Sequence, residues 1–179
     1  MKLSPDDAKL FYQMWLPLLN YVNGNYHILV DDIDFTGGKI DPQDAADVAR
    51  FLWERTEIID DYLKEAELSN EERAIIQSWK RCISGEFIIE RHLKKGSVFI
   101  STEDETVYMV NGIIDSWEEM LHGAPVPIIL RATLLPFKGV IITDGLVSVY
   151  PIMFGSNSRA EFKETYMDAK RNGKIKTMI

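Results

Sequence analysis

The sequence predicts an α+β fold, in which N-terminal helices are followed by an antiparallel β-meander and hairpin sheet and then by a C-terminal amphipathic helix. Three observations carry this expectation. Up to about residue 84 the apolar side chains recur every three to four positions, from Gly85 they recur every second position, and from residue 158 the helical spacing returns. Strands that follow helices, instead of alternating with them, argue against a doubly wound parallel sheet. A chain of 179 residues suits a single domain, with a helical part over 1–84, an antiparallel β part over 85–157 and a last helix over 158–173. The loop around residues 34–41 is the best internal boundary.

Ser4-Pro5-Asp6-Asp7 is a helix start: a serine cap, a proline in the first turn and then acids. Leu10, Phe11, Met14, Trp15, Leu18, Leu19 and Val22 follow at helical spacing. Pro17 is expected to kink or end this helix near Leu16, because it lacks an N–H and clashes with the preceding turn. Asn23-Gly24-Asn25 closes the element, and "YHILVDDIDFTGGKI" continues as a short extended piece and a loop. Asp41-Pro42 starts a second helix that is expected to run to about Ala66, with a wide apolar face. Ser69 caps a third helix, with Ile75, Ile76, Trp79 and Ile83 inward and Cys82 on the same face as a buried structural thiol. "EFIIERHL", "SVFIST" and "TVYMVNG" are strand-length runs separated by Lys94-Lys95-Gly96 and Glu103-Asp104-Glu105. "DSWEEMLHG" is a short helix near 115–121, capped by Asp115. "VPIILRATLLPF", "VIIT" and "LVSVYPIMF" are further strands. In the last helix Phe162, Tyr166 and Ala169 face inward and Gly173 is the stop.

The apolar fraction of 46% and the charged fraction of 27% are those of an ordinary globular protein. A chain of this size buries about 70% of its unfolded surface without a disulfide or metal. The single cysteine excludes an intrachain disulfide, and with no signal-peptide pattern and no spanning segment the expected compartment is the cytoplasm. The net charge is −8; residues 1–70 hold 14 acids against 6 bases, while residues 159–179 hold 3 against 6. An acidic body repels phosphate backbones, which disfavours nucleic acid as a partner.

Candidate chemistry is sparse. In "LLPFKGVIITDGLVSVYP", Pro136 to Gly139 is expected to be a four-residue turn, and Asp144-Gly145 a two-residue hairpin that needs positive φ at both positions. If the two turns lie together, Phe137, Lys138, Asp144 and Tyr150 form a rim that could bind a partner. "ILVDDIDFTGG" carries Asp32-x-Asp34-x-Thr36, the form of a haloacid-dehalogenase phosphotransfer loop, in which one aspartate attacks phosphorus and carboxylates hold Mg²⁺. The downstream lysine and acidic pair of that chemistry have no parallel strands to sit on here, so a polar loop with capping aspartates is the simpler account. Glu90 and His92 share one side of a strand by period-two counting and could form an acid–base pair. No metal spacing, nucleophile elbow, Walker loop or dinucleotide glycine pattern occurs, so no cofactor is implied.

"LFYQMWLPLLNYVN", "FLWERTEIIDDYLKE", "LSNEERAIIQSWKRCISGEFIIERHLKKGSVFI" and "LLPFKGVIITDGLVSVYPIMFG" resemble a family of uncharacterised bacterial proteins over nearly all of residues 9–175. The family phrase LLPFKGxIIxDGL falls on Leu134, Leu135, Pro136, Phe137, Lys138, Gly139, Ile141, Ile142, Asp144, Gly145 and Leu146. Some members carry a C-terminal SEC-C zinc motif; this sequence has only Cys82, so the resemblance implies no zinc site. The family has no established activity and adds no catalytic residue. The expected function is therefore a non-catalytic binding or protein-interaction domain, with a protein partner or a second copy as ligand. The alternatives are a small metal-assisted hydrolase using Glu90, His92 or the Asp31–Asp34 carboxylates, and a nucleic-acid accessory using Lys170, Arg171, Lys174 and Lys176.

Overall fold

The computed structural model describes residues 1–30, 33–38 and 40–179. Contacts divide the chain into two compact units, Pro5–Cys82 on the one hand and Met1–Ser4 with Ile83–Ile179 on the other. The division falls at Cys82, not at the 34–41 loop.

The first unit is helical. Helix α1 spans Pro5–Tyr26 and does not stop at Pro17. Its inward face, with Phe11, Met14, Trp15, Leu18, Leu19 and Val22 all buried, outweighs the one hydrogen bond that Pro17 cannot make. It closes past the Asn23-Gly24-Asn25 signal, on His27, whose φ of 50° and N–H to the Asn23 carbonyl (2.8 Å) form a left-handed stop. The expected second helix is two: α2 over Pro42–Glu54 and α3 over Ile58–Glu65. The break at Arg55 lets each half turn its own stripe inward, Ala45, Val48, Ala49 and Leu52 on one and Ile58, Ile59, Tyr62 and Leu63 on the other. Helix α4, Asn70–Ser78, begins with a capping box between Ser69 and Glu72. A 3-10 turn over Trp79–Arg81 follows, and Cys82 beyond it is half-buried, not buried as expected. Trp15 stacks on Trp53 at 5.2 Å and meets Trp79 edge-on at 6.0 Å, forming the aromatic centre of this unit.

The second unit is built on β1 (Ile83–Leu93), β2 (Gly96–Ser101), β3 (Val107–Val110), β4 (Ile128–Phe137), β5 (Val140–Thr143) and β6 (Ser148–Val149), with α5 (Trp117–Met120) between β3 and β4 and α6 (Ser156–Arg171) after β6. The α+β class holds, but the sheet is not a plain antiparallel meander. Its order is β1-β2-β3-β5-β4, and β4 pairs back onto β1 along Ile83↔Leu134 to Ile89↔Ile128, so the sheet closes on itself. β3 and β5 are parallel, touching at Val110↔Ile141. A five-stranded barrel with this order, a parallel β3–β5 closure and a helix between β3 and β4 has the topology of an OB-type barrel. Closure is possible because β1 is 11 residues long and serves two neighbours, β4 along its first part and β2 along its last.

The barrel interior is filled by Phe87, Ile89, Phe99, Tyr108, Val110, Leu130, Ala132, Leu134 and Ile141, and Trp117 of α5 plugs it, 4.9 Å from the Phe99 ring. Outside, Ile88, Val98, Ile100 and Val107 are covered by α6 through Tyr166, Phe162 and Ala169. The Met1–Ser4 segment clips onto the β3–α5 connection, where Leu3 N–H donates to the Gly112 carbonyl at 3.0 Å and Gly112 N–H to that of Met1 at 3.1 Å. None of the described helices is long and apolar enough to cross a membrane.

Candidate functional site

The phrase Leu134–Pro151 resolves into one hairpin and one bulge. Pro136 and Phe137 stay in β4, and the β4–β5 turn is only Lys138-Gly139, with φ of 46° and 82°: a two-residue turn with positive φ at both positions. The Asp144-Gly145 hairpin does not form. β5 and β6 run in the same direction along the same edge of β4, with Leu134↔Thr143 before the interruption and Arg131↔Ser148 after it. Two extra residues are accommodated there. Gly145 takes φ of 84°, and the Asp144 carboxylate accepts the Leu146 N–H at 3.0 Å. An Asp-Gly pair supplies the left-handed residue that a bulge needs as readily as that of a hairpin turn.

This register dissolves the expected rim. Asp144 lies opposite Thr133, five residues along β4 from Lys138, so the two sit about 16 Å apart at the rise of a strand. Phe137 and Asp144 are buried, and the Tyr150 hydroxyl donates to Glu86 at 3.0 Å.

Glu90 and His92 are also kept apart. The β1–β2 pairing shifts register between Ile89 and Arg91, leaving Glu90 as the bulged residue and reversing the parity of the residues beyond it. Glu90 accepts both Nε and Nη2 of Arg91, the latter at 2.9 Å, and Arg91 lies 4.1 Å over the Tyr166 ring. That cluster fastens α6 to β1. His92 falls on the interior side with its partner Ser97, whose hydroxyl is 2.8 Å from Nδ1, while Nε2 is buried without a protein partner. Burial pushes the His92 imidazole below its ordinary value; Glu118 opposes this and the Met1 ammonium adds to it.

Asp32 lies outside the described residues. Asp34 is a loop anchor: its carboxylate accepts Asn20 Nδ2 at 2.8 Å, Thr36 N–H at 2.8 Å and the Thr36 hydroxyl at 2.6 Å. These hydrogen bonds, led by the Thr36 hydroxyl, hold it below the usual aspartate range. Among the described residues no three His, Cys, Asp or Glu side chains converge on a point that could hold a metal ion. Of the basic C-terminal residues, Lys170 and Lys176 lie 6.0 and 5.6 Å from the Tyr166 and Tyr108 rings, and Arg171 pairs with Asp168 at 3.2 Å. Lys176 also bridges β3 through backbone hydrogen bonds to Val107 and Met109. An open cleft of about 690 Å³ lies beside it, lined among others by Asp104, Thr106, Asp168, Asn172 and Lys174.

No family model, curated protein or solved structure matches this chain.

Two features escaped the sequence reading. The barrel unit has 12 acidic and 12 basic residues, so the entire −8 belongs to the helical unit, with 16 against 8. And the segment after β6 is pinned with its apolar side chains outward. Tyr150 N–H bonds the Ile129 carbonyl, Phe154 packs edge-on to Phe162 at 5.0 Å, and Arg159 Nε donates to the Phe154 carbonyl at 3.0 Å. Val149, just before the first anchor, and Ile152 and Met153, between the anchors, are 47%, 53% and 92% exposed. A signal was present: residues 145–158 contain no charged side chain at all.

Proposed function

We propose that this chain is a non-catalytic protein-interaction domain of a bacterial cytoplasmic protein, with the barrel as scaffold and residues 149–153 as the docking strip. The observation that carries this reading is that strip: three large apolar side chains held in water by a backbone anchored on both sides. Contiguous exposed apolar surface on a rigid support marks interaction sites more often than accident. The outer β1–β3 face supports the reading by elimination. Single-stranded nucleic acid needs aromatic platforms and a basic groove, whereas this face is aliphatic and lies under α6 on a unit with no net charge. The test is quantitative affinity purification of the wild type beside an Ile152→Asp/Met153→Asp variant from cells that produce the protein. Partners recovered by the wild type and lost by the variant are expected. Identical recovery by both would overturn the assignment of the strip.

A further inference from the structure

We infer that the strip's occupant is an extended apolar segment of another protein, added as a short strand beside Val149; this rests on the interaction reading above. The backbone supplies the first argument. Tyr150 N–H points to β4, because it bonds the Ile129 carbonyl, and Val149↔Leu130 is the neighbouring pair. Antiparallel pairs alternate, so the Val149 N–H and C=O point away from β4, on the outer edge of the last strand in the sheet order. An outward donor and acceptor flanked by apolar side chains is what strand addition uses: main-chain bonds hold the guest and side chains select it.

The size of the patch chooses between guests. At their exposures Val149, Ile152 and Met153 offer on the order of 350 Å², well below the roughly 800 Å² that each partner gives to a stable dimer. A second copy is therefore a poor fit, while a short peptide segment matches the area. Ile152 N–H donates to the Tyr150 carbonyl at 2.8 Å, so the chain turns at Pro151, which itself has no N–H; the edge ends there, accepts one short guest strand and cannot propagate into chain-to-chain pairing.

The experiment selects a displayed library of random linear nonapeptides on the full chain, with counter-selection on the Ile152→Asp/Met153→Asp variant. The probe for binding is then the most enriched peptide, labelled, beside a copy N-methylated at its central residue. The expected result is enrichment of peptides with alternating apolar residues, at least tenfold weaker binding to the variant and to the methylated copy, and slowed exchange of the Val149 amide. A variant with an unchanged unfolding midpoint confirms that surface, not folding, is lost. No enrichment over the variant overturns the inference. Binding that needs Ile152 and Met153 but tolerates methylation overturns strand addition and leaves the interaction reading standing. A concentration-dependent dimer in sedimentation, abolished in the variant, replaces the guest with a second copy and likewise leaves that reading intact.

Discussion

Gly112 is the position where the closed barrel makes its strictest demand on the sequence. A Cβ placed there would lie 1.8 Å from the Asp115 carbonyl oxygen, 2.8 Å from its carbon and 3.1 Å from Ser116 Cα. These are backbone atoms, so no rotamer change relieves the overlap, and in Gly112→Ala the β3–α5 connection must move by more than 1 Å. That displacement disrupts the Leu3–Gly112 and Gly112–Met1 hydrogen bonds, about 0.5–1.5 kcal/mol each. It also disturbs the Ser116–Glu119 capping box, another 0.5–2 kcal/mol or so, and shifts Trp117 in the barrel mouth. The expected loss is about 2–5 kcal/mol, on the order of 4–20 °C for a chain of this length. The assay is urea-dependent hydrogen exchange of the barrel amides, which isolates this unit from the helical one. Gly24→Ala is the control: it lies inside α1 with nothing within 4 Å, so it should stabilise by about 0.5–1 kcal/mol through helix propensity. A Gly112→Ala loss below about 1 kcal/mol would refute the close approach of residues 112 and 115 and with it this closure of the barrel.

Two further outcomes follow from the geometry. His92 is half-buried with a depressed pKa, so between that value and the ordinary 6.5 or so the unfolded chain binds the extra proton. Stability should then fall as pH drops through this window, by at most about 1.4 kcal/mol per pH unit, and His92→Gln should flatten that slope. The depressed carboxylates Asp34, Glu72, Asp104 and Glu119 lose their contributions only at lower pH, below the ordinary carboxylate values, and a variant with an unaltered slope between pH 5 and 7 would exclude His92 as the source. Lys138 holds φ of 46° at the first position of a turn that favours asparagine, so Lys138→Asn should raise the unfolding free energy read by urea titration by about 0.5–1 kcal/mol, whereas Lys138→Val should lower it; the reverse order would contradict the two-residue turn.

The α+β class and most elements were legible in the sequence because they rest on local rules. The change of period at Gly85, the Ser69 cap and the Gly173 stop all act within a few residues. What was hidden depends on pairing. Nothing local announces that β1 serves two strands, and only that double service closes the sheet. The bulge at Glu90 moves His92 to the opposite face, so a one-residue irregularity cancels the pairing that period-two counting suggests. Asp144-Gly145 reads as a hairpin because the same left-handed glycine suits both a turn and a bulge; register with β4 decides, and register is not local. Pro17 errs the other way, since its cost is local while the compensation comes from a helix face buried along its whole length.

The barrel's strand order invites a comparison with how such barrels bind, through the face of strands 2 and 3 and the loops joining strands 1 to 2 and 4 to 5. In this chain both loops are two residues, Lys94-Lys95 and Lys138-Gly139, too short to wrap a ligand. The face itself is closed: Val98, Ile100 and Val107 pack under Tyr166, and the Glu90–Arg91–Tyr166 cluster fastens the helix above them. A fold can thus keep its topology while the surfaces that usually carry function become core. The residues freed for recognition are then those the barrel does not need for closure. The stretch after the Asp144 bulge meets that condition, because the bulge carries the chain past the point where β3 pairs with β5 and leaves Val149 with β4 on one edge only. A protein that binds here would owe its site to the bulge, where the buried Asp144 carboxylate accepts the Leu146 N–H at 3.0 Å.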